Sequence, residues 1–298
     1  MFAIVEAPSN LGLRPTGVET LPAALLRVGL QHGLAARHAA RVEAPPYDPK
    51  RDRETRLLNP HGIAAYAVSL ANAVSAVMEQ GQPPVVLGGD CSIILGPMLA
   101  LRRRGRFGLL FVDGHTDYYQ PEANVNGEAA SSELALATGR GPACLTELEG
   151  FRPLVRPEDV VALGRRDQEE AARFGSDEPP PELMVLDLAE IRRNSIDAAL
   201  AKALAHLQRD ELAGFWLHVD ADVLDDAILP AVEYRLPGGL SFAELETVLR
   251  TARATGRMMG FDVTVLNPKL DDGERCARDL AGTIVRGLRA PLGPDAYL

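Results

Sequence analysis

Two short stretches hold residues whose types and spacing could do chemistry. The first, Asp113-Gly-His115-Thr-Asp117, follows the apolar run Gly108 to Val112. The second, His218-Val-Asp220-Ala-Asp222, follows the apolar run that begins at Phe215. In each, the acidic and imidazole side chains occupy alternate positions. In extended backbone such residues point to one side, so each strand end would aim its set at one place. Asp113, His115 and Asp117 with Asp220 and Asp222 make four carboxylates and one imidazole. Packed without a cation, these groups are in conflict, because like charges repel and burial adds a desolvation cost. A divalent metal removes the conflict. Cys91 or Asp90, in Gly88-Gly-Asp-Cys-Ser92, could add a further ligand. Oxygen donors with some nitrogen suit Mn2+, or a mixed or zinc site. Such a metal lowers the pKa of bound water from 15.7 to about 7, so the chemistry implied is hydrolysis of a planar carbon centre. The competing reading is a polar turn after each strand, with the aspartates capping the next segment.

The surrounding elements must place these turns. Apolar runs of strand length fall at Phe2–Glu6, Arg41–Ala44, Pro84–Leu87, Gly108–Val112, Asp159–Leu163, Leu183–Leu186, Phe215–Val219 and Met259–Leu266. Helical spacing falls between them, at Pro22–His32, His61–Gln80 (with Asn59 as cap), Ile93–Arg104, Ser131–Thr138, Gln168–Phe174, Ser195–Arg209, Phe242–Thr255 (with Ser241 as cap) and about Gly273–Arg289. Strands alternating with helices predict right-handed βαβ units, and so a mostly parallel sheet between two helical layers. Such sheets bind ligands beyond the carboxyl ends of their strands, and the polar motifs lie there. Tyr118–Ala130 reads as a loop that must cover the cluster. No internal boundary is evident, so residues 1–298 are expected to form one α/β domain.

Composition narrows the function class. A net charge of −10 argues against nucleic acid as a partner, since phosphate binding needs a basic face. Three cysteines, an odd and sparse set, fit a reducing compartment better than a disulfide framework. The start, Met-Phe-Ala-Ile-Val-Glu-Ala-Pro, reads as a first strand, not a signal peptide. No stretch reads as the roughly 20 apolar residues that span a bilayer. The expected setting is the cytoplasm, with a small-molecule substrate and no membrane partner.

These motifs, with Pro237-Gly-Gly-Leu-Ser241 and Asn267-Pro268, resemble the ureohydrolase family of arginases, agmatinases and formiminoglutamases. The resemblance runs from about Pro84 to Pro268. It implies a three-layer α/β/α sandwich, a binuclear Mn2+ site, a homo-oligomer (trimer or hexamer), and hydrolysis of a non-peptide C–N bond in a small linear amidine or guanidino compound. By motif, Cys91, Asp113, Asp117 and Asp220 stand at the ligand positions of one ion. Asp113, His115, Asp220 and Asp222 stand at those of the other, and Asp117 is also placed to hydrogen-bond the attacking hydroxide.

Three positions depart from the family pattern. Cys91 stands where the family has histidine; a thiolate is softer and suits Zn2+ better, so single occupancy or Zn2+ joins Mn2+ as an expectation. Alternatively, Cys91 is a small buried residue without a ligand role. Glu128 stands where a proton-transferring histidine is usual, and either takes that catalytic role or caps the helix near Ser131. Val265 replaces the glutamate that pairs with a guanidinium, which, unless Thr264 or Asp262 substitutes, argues against plain arginine hydrolysis. A degenerate relative, metal-binding but without ureohydrolase activity, is the alternative function. Among lesser features, His218 is expected to pack or to orient a ligand, Arg165 and Arg166 to be structural or to grip a substrate carboxylate, and Trp216 to lie in the core.

Overall fold

The computed structural model describes residues 1–289. Its centre is one sheet of eight strands: β1 (Ala3–Glu6), β2 (Arg37–Arg41), β3 (Pro84–Leu87), β4 (Gly108–Val112), β5 (Val160–Leu163), β6 (Met184–Leu186), β7 (Phe215–Asp220) and β8 (Met258–Thr264). Their order across the sheet is β2-β1-β3-β8-β7-β4-β5-β6, and every pairing is parallel. Parallel strands need crossovers, and the helices supply them on both faces. Pro60–Glu79, Leu95–Arg102 and Glu133–Ala137 pack on one face, around Val86, Leu109, Phe111 and Trp216. Leu21–Arg27, Ile196–Leu207, Phe242–Ala254 and Arg275–Leu288 pack on the other, around Leu110, Leu217 and Phe261. The expected three-layer α/β/α sandwich is therefore present.

Topology explains why the polar motifs meet. Strands β3, β8, β7 and β4 are successive neighbours at the centre of the sheet. Their carboxyl ends carry Cys91, Thr264, Asp220 and Asp113 into the same region. The Gly88-Gly89 turn is required by a close approach: a Cβ on Gly89 would lie 1.8 Å from the Ser9 carbonyl oxygen.

Several local expectations need correction. The second strand lies at Arg37–Arg41, not Arg41–Ala44; it is a half-exposed edge strand without an apolar run to mark it. Asn59 precedes Pro60–Glu79 but does not cap it. It adopts a left-handed φ of 48°, and its side chain ties loops together, accepting from Asp48 N (2.7 Å) and donating to Leu11 O (3.1 Å). The segment after Cys91 begins as a tight 3-10 turn, Cys91–Ile94, before the α-helix Leu95–Arg102. A helix at Leu188–Asn194, capped by Asp187 Oδ1 on Glu190 N (2.7 Å), is not expected from the sequence. By contrast, Ser241 caps its helix as expected and closes a reciprocal box with Glu244. Pro60–Glu79 is also long and apolar enough to cross a bilayer, contrary to expectation, yet it turns Ile63, Tyr66, Leu70 and Val74 into the core.

Candidate metal centre

The alternating geometry expected of Asp113, His115 and Asp117 is not how they converge. Strand β4 ends at Val112, and the motif is an irregular loop in which Asp117 takes a positive φ of 47°. Asp113 Oδ1 accepts the His115 backbone N–H at 2.7 Å, folding the loop back on itself. Likewise Asp220 ends β7, and Asp222 sits in a 3-10 turn whose N–H donates to Asp220 Oδ1 at 2.7 Å. Aspartate side chains fold their own backbone this way readily, so the polar turn of the competing reading and the clustered carboxylates are the same structure.

The two loops meet. His115 Nδ1 lies 2.9 Å from Asp222 Oδ2, and Asp222 Oδ1 accepts Gly114 N at 3.1 Å. Arg166 donates to the carbonyls of Asp222 (2.8 Å), Leu224 and Leu236, which makes it a structural staple. Arg165 pairs with Glu178 at 2.9 Å. On the other side of Asp113, the Cys91 thiol donates to Asp220 Oδ2 at 2.6 Å and lies 3.0 Å from Thr264 Oγ1. Asp90 faces elsewhere: it accepts from Ser9 Oγ (2.7 Å) and from Ser92 N (2.9 Å), so it caps the turn and leaves Cys91 as the candidate ligand.

The electrostatics are those of a site short of positive charge. Burial, then Asp117 and the Asp222 and Asp220 carboxylates, hold Asp113 well above the usual carboxylate range. Burial and Glu133 do the same to Asp117. Asp220 is pushed up to about 7 by burial and Asp222. Cys91 is raised by burial and Asp220. Burial disfavours the charge on both members of the His115–Asp222 pair, but mutual attraction prevails: His115 rises to about 9, and Asp222 stays below its ordinary value. Buried oxygens of Asp113 (Oδ2) and Glu133 (both), and Nε2 of His218, have no hydrogen-bond partner. Orphaned acceptors of this kind are rare and invite an ion. The donor set therefore fits a divalent metal, with two groupings that share Asp113. Ligand atoms of Asp113, His115 and Asp222 lie within 4.8 Å of one another, and so do those of Cys91, Asp113, Glu133 and His218.

The centre borders a cavity of about 440 Å³. Cys91, His115, Asp117, Asp220 and Asp222 line it, together with Arg14, Tyr119, Asn126, Glu233 and Tyr234. As expected, the loop from Tyr118 to Ala130 covers it. Val265 lines it too, with a positive φ of 69° that is rare for a β-branched residue. Glu128 is not among the lining residues. It lies buried behind the wall, accepting from Asn126 Nδ2 (2.7 Å) and the Tyr234 hydroxyl and 3.5 Å from Arg14; burial raises its pKa. It does not cap the following turn through its side chain. Sequence reasoning missed Glu133. The available signal was one carboxylate in an otherwise apolar helix, Glu-Leu-Ala-Leu-Ala.

The profile of the Arginase family matches residues 1–288. The chain belongs to the arginase family. It is 27% identical to the arginase of Staphylococcus aureus (strain COL) over 290 residues, with 94% of each chain covered. It is 28% identical to the Bacillus subtilis arginase, with 91% of each covered. Among solved structures, the native arginase of Bacillus caldovelox superposes with a TM-score of 0.86 at 24% identity, covering 98% of this chain and 99% of that one. Formimidoylglutamase from Bacillus subtilis superposes at 0.74 with 17% identity, covering 97% and 86%. Arginase-family membership supports metal-dependent hydrolysis of guanidino or amidino C–N bonds.

Proposed function

We propose that this chain is a metal-dependent hydrolase of a C–N bond in a small linear guanidino, amidino or formimino compound. The observation that carries the reading is the meeting of Asp113, His115, Asp117, Asp220 and Asp222, the last four of them lining a cavity, with buried donor atoms left unpaired. Asp113, Asp117, Asp220 and Cys91 would hold one ion, and Asp113, His115, Asp220 and Asp222 the other. Mn2+ is the expected metal, with Zn2+ or single occupancy a consequence of Cys91. Bound there, the metal supplies Lewis acidity and lowers the pKa of water.

The chain's own groups do the rest. Asp117, exposed to the cavity, accepts a hydrogen bond from the attacking water and orients it. Glu128, with its pKa raised by burial, accepts the Tyr234 hydroxyl, which lines the cavity, so it would take the proton released by the attacking water through Tyr234 and return it by the same hydroxyl to the leaving amine. Val265 offers a guanidinium no charge, so the substrate's polar end is held by Glu233 or by backbone. The trimer or hexamer of the family and a reducing, cytoplasmic setting belong to this reading.

The test is metal analysis after Mn2+ loading, combined with turnover on a panel of guanidino, amidino and formimino compounds. Stoichiometric metal with turnover of one class supports the enzyme. Metal without turnover of any favours the second reading, a degenerate relative, which Val265 supports. Val265→Glu separates the two further: it should lower KM for guanidinium substrates by about tenfold, from one new charge-assisted pair of about 1.4 kcal/mol.

A further inference from the structure

His218 and Glu133 are fully buried polar side chains beside the centre that have unpartnered atoms and that the proposed mechanism does not use. Both have no solvent exposure. His218 stacks on Phe111, with ring centroids 4.8 Å apart, so its plane is fixed. Its Nδ1 lies 2.6 Å from Asp262 Oδ2, and Asp262 is fixed in turn by the Trp216 indole N–H. An Nδ1–H donated to a carboxylate leaves the Nε2 lone pair free, and Nε2 has no partner. This carboxylate–histidine arrangement is how proteins hold an imidazole that ligates a metal through its other nitrogen. Glu133 comes from the helical layer that covers this same face of the sheet; among the described residues no N–H or hydroxyl donor reaches its two oxygens, and its carboxyl lies against that of Asp117. Ligand atoms of Cys91, Asp113, Glu133 and His218 all lie within 4.8 Å of one another. A tetrahedral zinc site with bonds of about 2.0–2.3 Å needs ligand separations of roughly 3.4–3.8 Å. Small side-chain rotations therefore close it.

We propose that Cys91, Asp113, Glu133 and His218 form a zinc-selective pocket in the half of the centre nearest β3, while the oxygen-rich His115 half takes Mn2+. This rests on the metal-dependent reading above and revises its Cys91 half, with Glu133 and His218 in place of Asp117 and Asp220 beside Cys91 and Asp113. The thiolate and imidazole are the soft and borderline donors that favour zinc. Glu133 replaces donor capacity that Cys91, a shorter ligand than histidine, cannot extend. Binding ionises the Cys91 thiol, and its proton leaves to the cavity that Cys91 lines.

The test uses metal-free full-length protein, titrated separately with Zn2+, Mn2+ and Co2+. Cobalt should give a thiolate-to-metal charge-transfer band that Cys91→Ser abolishes. Glu133→Gln and His218→Gln should each weaken Zn2+ binding by about 10- to 100-fold. Mn2+ affinity in the other half should change by less than about threefold. X-ray absorption of the wild-type zinc protein should show one sulfur at about 2.3 Å, together with imidazole scattering. Zinc affinity unchanged in both variants, or no sulfur in the wild-type spectrum, overturns the pocket. The spectrum decides even where a variant fails to fold. Turnover with Mn2+ alongside a negative zinc result sinks this inference alone. A zinc pocket without turnover of any compound sinks the hydrolase reading alone.

Discussion

The two halves of the centre solve the same problem differently. In the His115 half, a cation is already present. The imidazolium pairs with Asp222, Gly114 N donates to that carboxylate, the nearby Arg166 charge favours it while Arg166 holds the Asp222 backbone carbonyl, and the carboxylate pKa stays below the usual range. In the Cys91 half the imidazole is His218, and its Nδ1 is already engaged by Asp262. There the carboxylates of Asp113, Asp117 and Glu133 all sit well above their ordinary pKa, and several atoms stay unpaired. One half is nearly self-sufficient as folded. The other stays neutral only by holding protons, and it gains most from an ion. Charge compensation, more than ligand count, thus decides where a metal contributes stability.

Asp113 belongs to both halves, so Asp113→Asn tests the comparison hardest. Activity with any metal should fall by at least about a thousandfold in kcat/KM, which is about 4 kcal/mol. The metal-free protein should melt higher, because a buried acid in conflict has become a neutral amide. Retained activity would mean that the halves do not share a ligand. Cys91→His acts on one half alone. It should raise Mn2+ occupancy after loading and lower the Zn2+ preference by about tenfold or more. Overpacking beside Thr264 should cost the metal-free fold about 1–3 kcal/mol. Unchanged metal content would show that Cys91 is not at a ligand position.

Proton linkage gives the next largest effect. Asp220, raised to about 7, binds a proton in the folded state that the unfolded chain releases near 4. Stability from this group is therefore lost as pH rises between those values. His115, raised to about 9, contributes stability that is present below about 6.5 and fades towards 9. Both act in one direction. The melting temperature of metal-free protein should fall steadily from pH 5 to pH 9. The added metal should restore more at the alkaline end, where protons no longer compete for the ligands. A flat profile would mean that the carboxylate conflict is relieved in some other way.

How much of the fold and the centre is legible in sequence depends on the kind of signal each part leaves. Most of the strands are buried apolar runs, and such runs are visible. The half-exposed edge at Arg37–Arg41 leaves none, and the sequence points past it. Asp113, His115, Asp117, Asp220 and Asp222 can be named because strand ends in a parallel sheet converge, although the turn geometry that brings them together is not the extended one that alternation suggests. Glu133 is invisible by that logic. It comes from a helix in the covering layer, and only the packing of that helix over Cys91 gives it a role. Glu128 is singled out by its position in a motif, and position alone does not reveal that Asn126 and Tyr234 stand between it and the cavity.

Thr264→Val makes the smallest change and so bounds the comparison from below. The substitution is nearly isosteric and buried, and it removes one hydroxyl 3.0 Å from the Cys91 sulfur. The hydroxyl's other contact, Val219 O at 3.4 Å, is long and weak. Cys91 keeps its bond to Asp220, so no buried donor is stranded and the loss should be near about 1 kcal/mol. A hydroxyl that donates to a thiolate favours its ionised form. Without it, Zn2+ binding should weaken by about fivefold, while Mn2+ binding in the His115 half stays as it was. An equal loss for both metals would show that Thr264 shapes the whole centre through β8, and the two halves would then be one site that titrates together. A loss confined to zinc would place the division between them at Asp113, the residue they share.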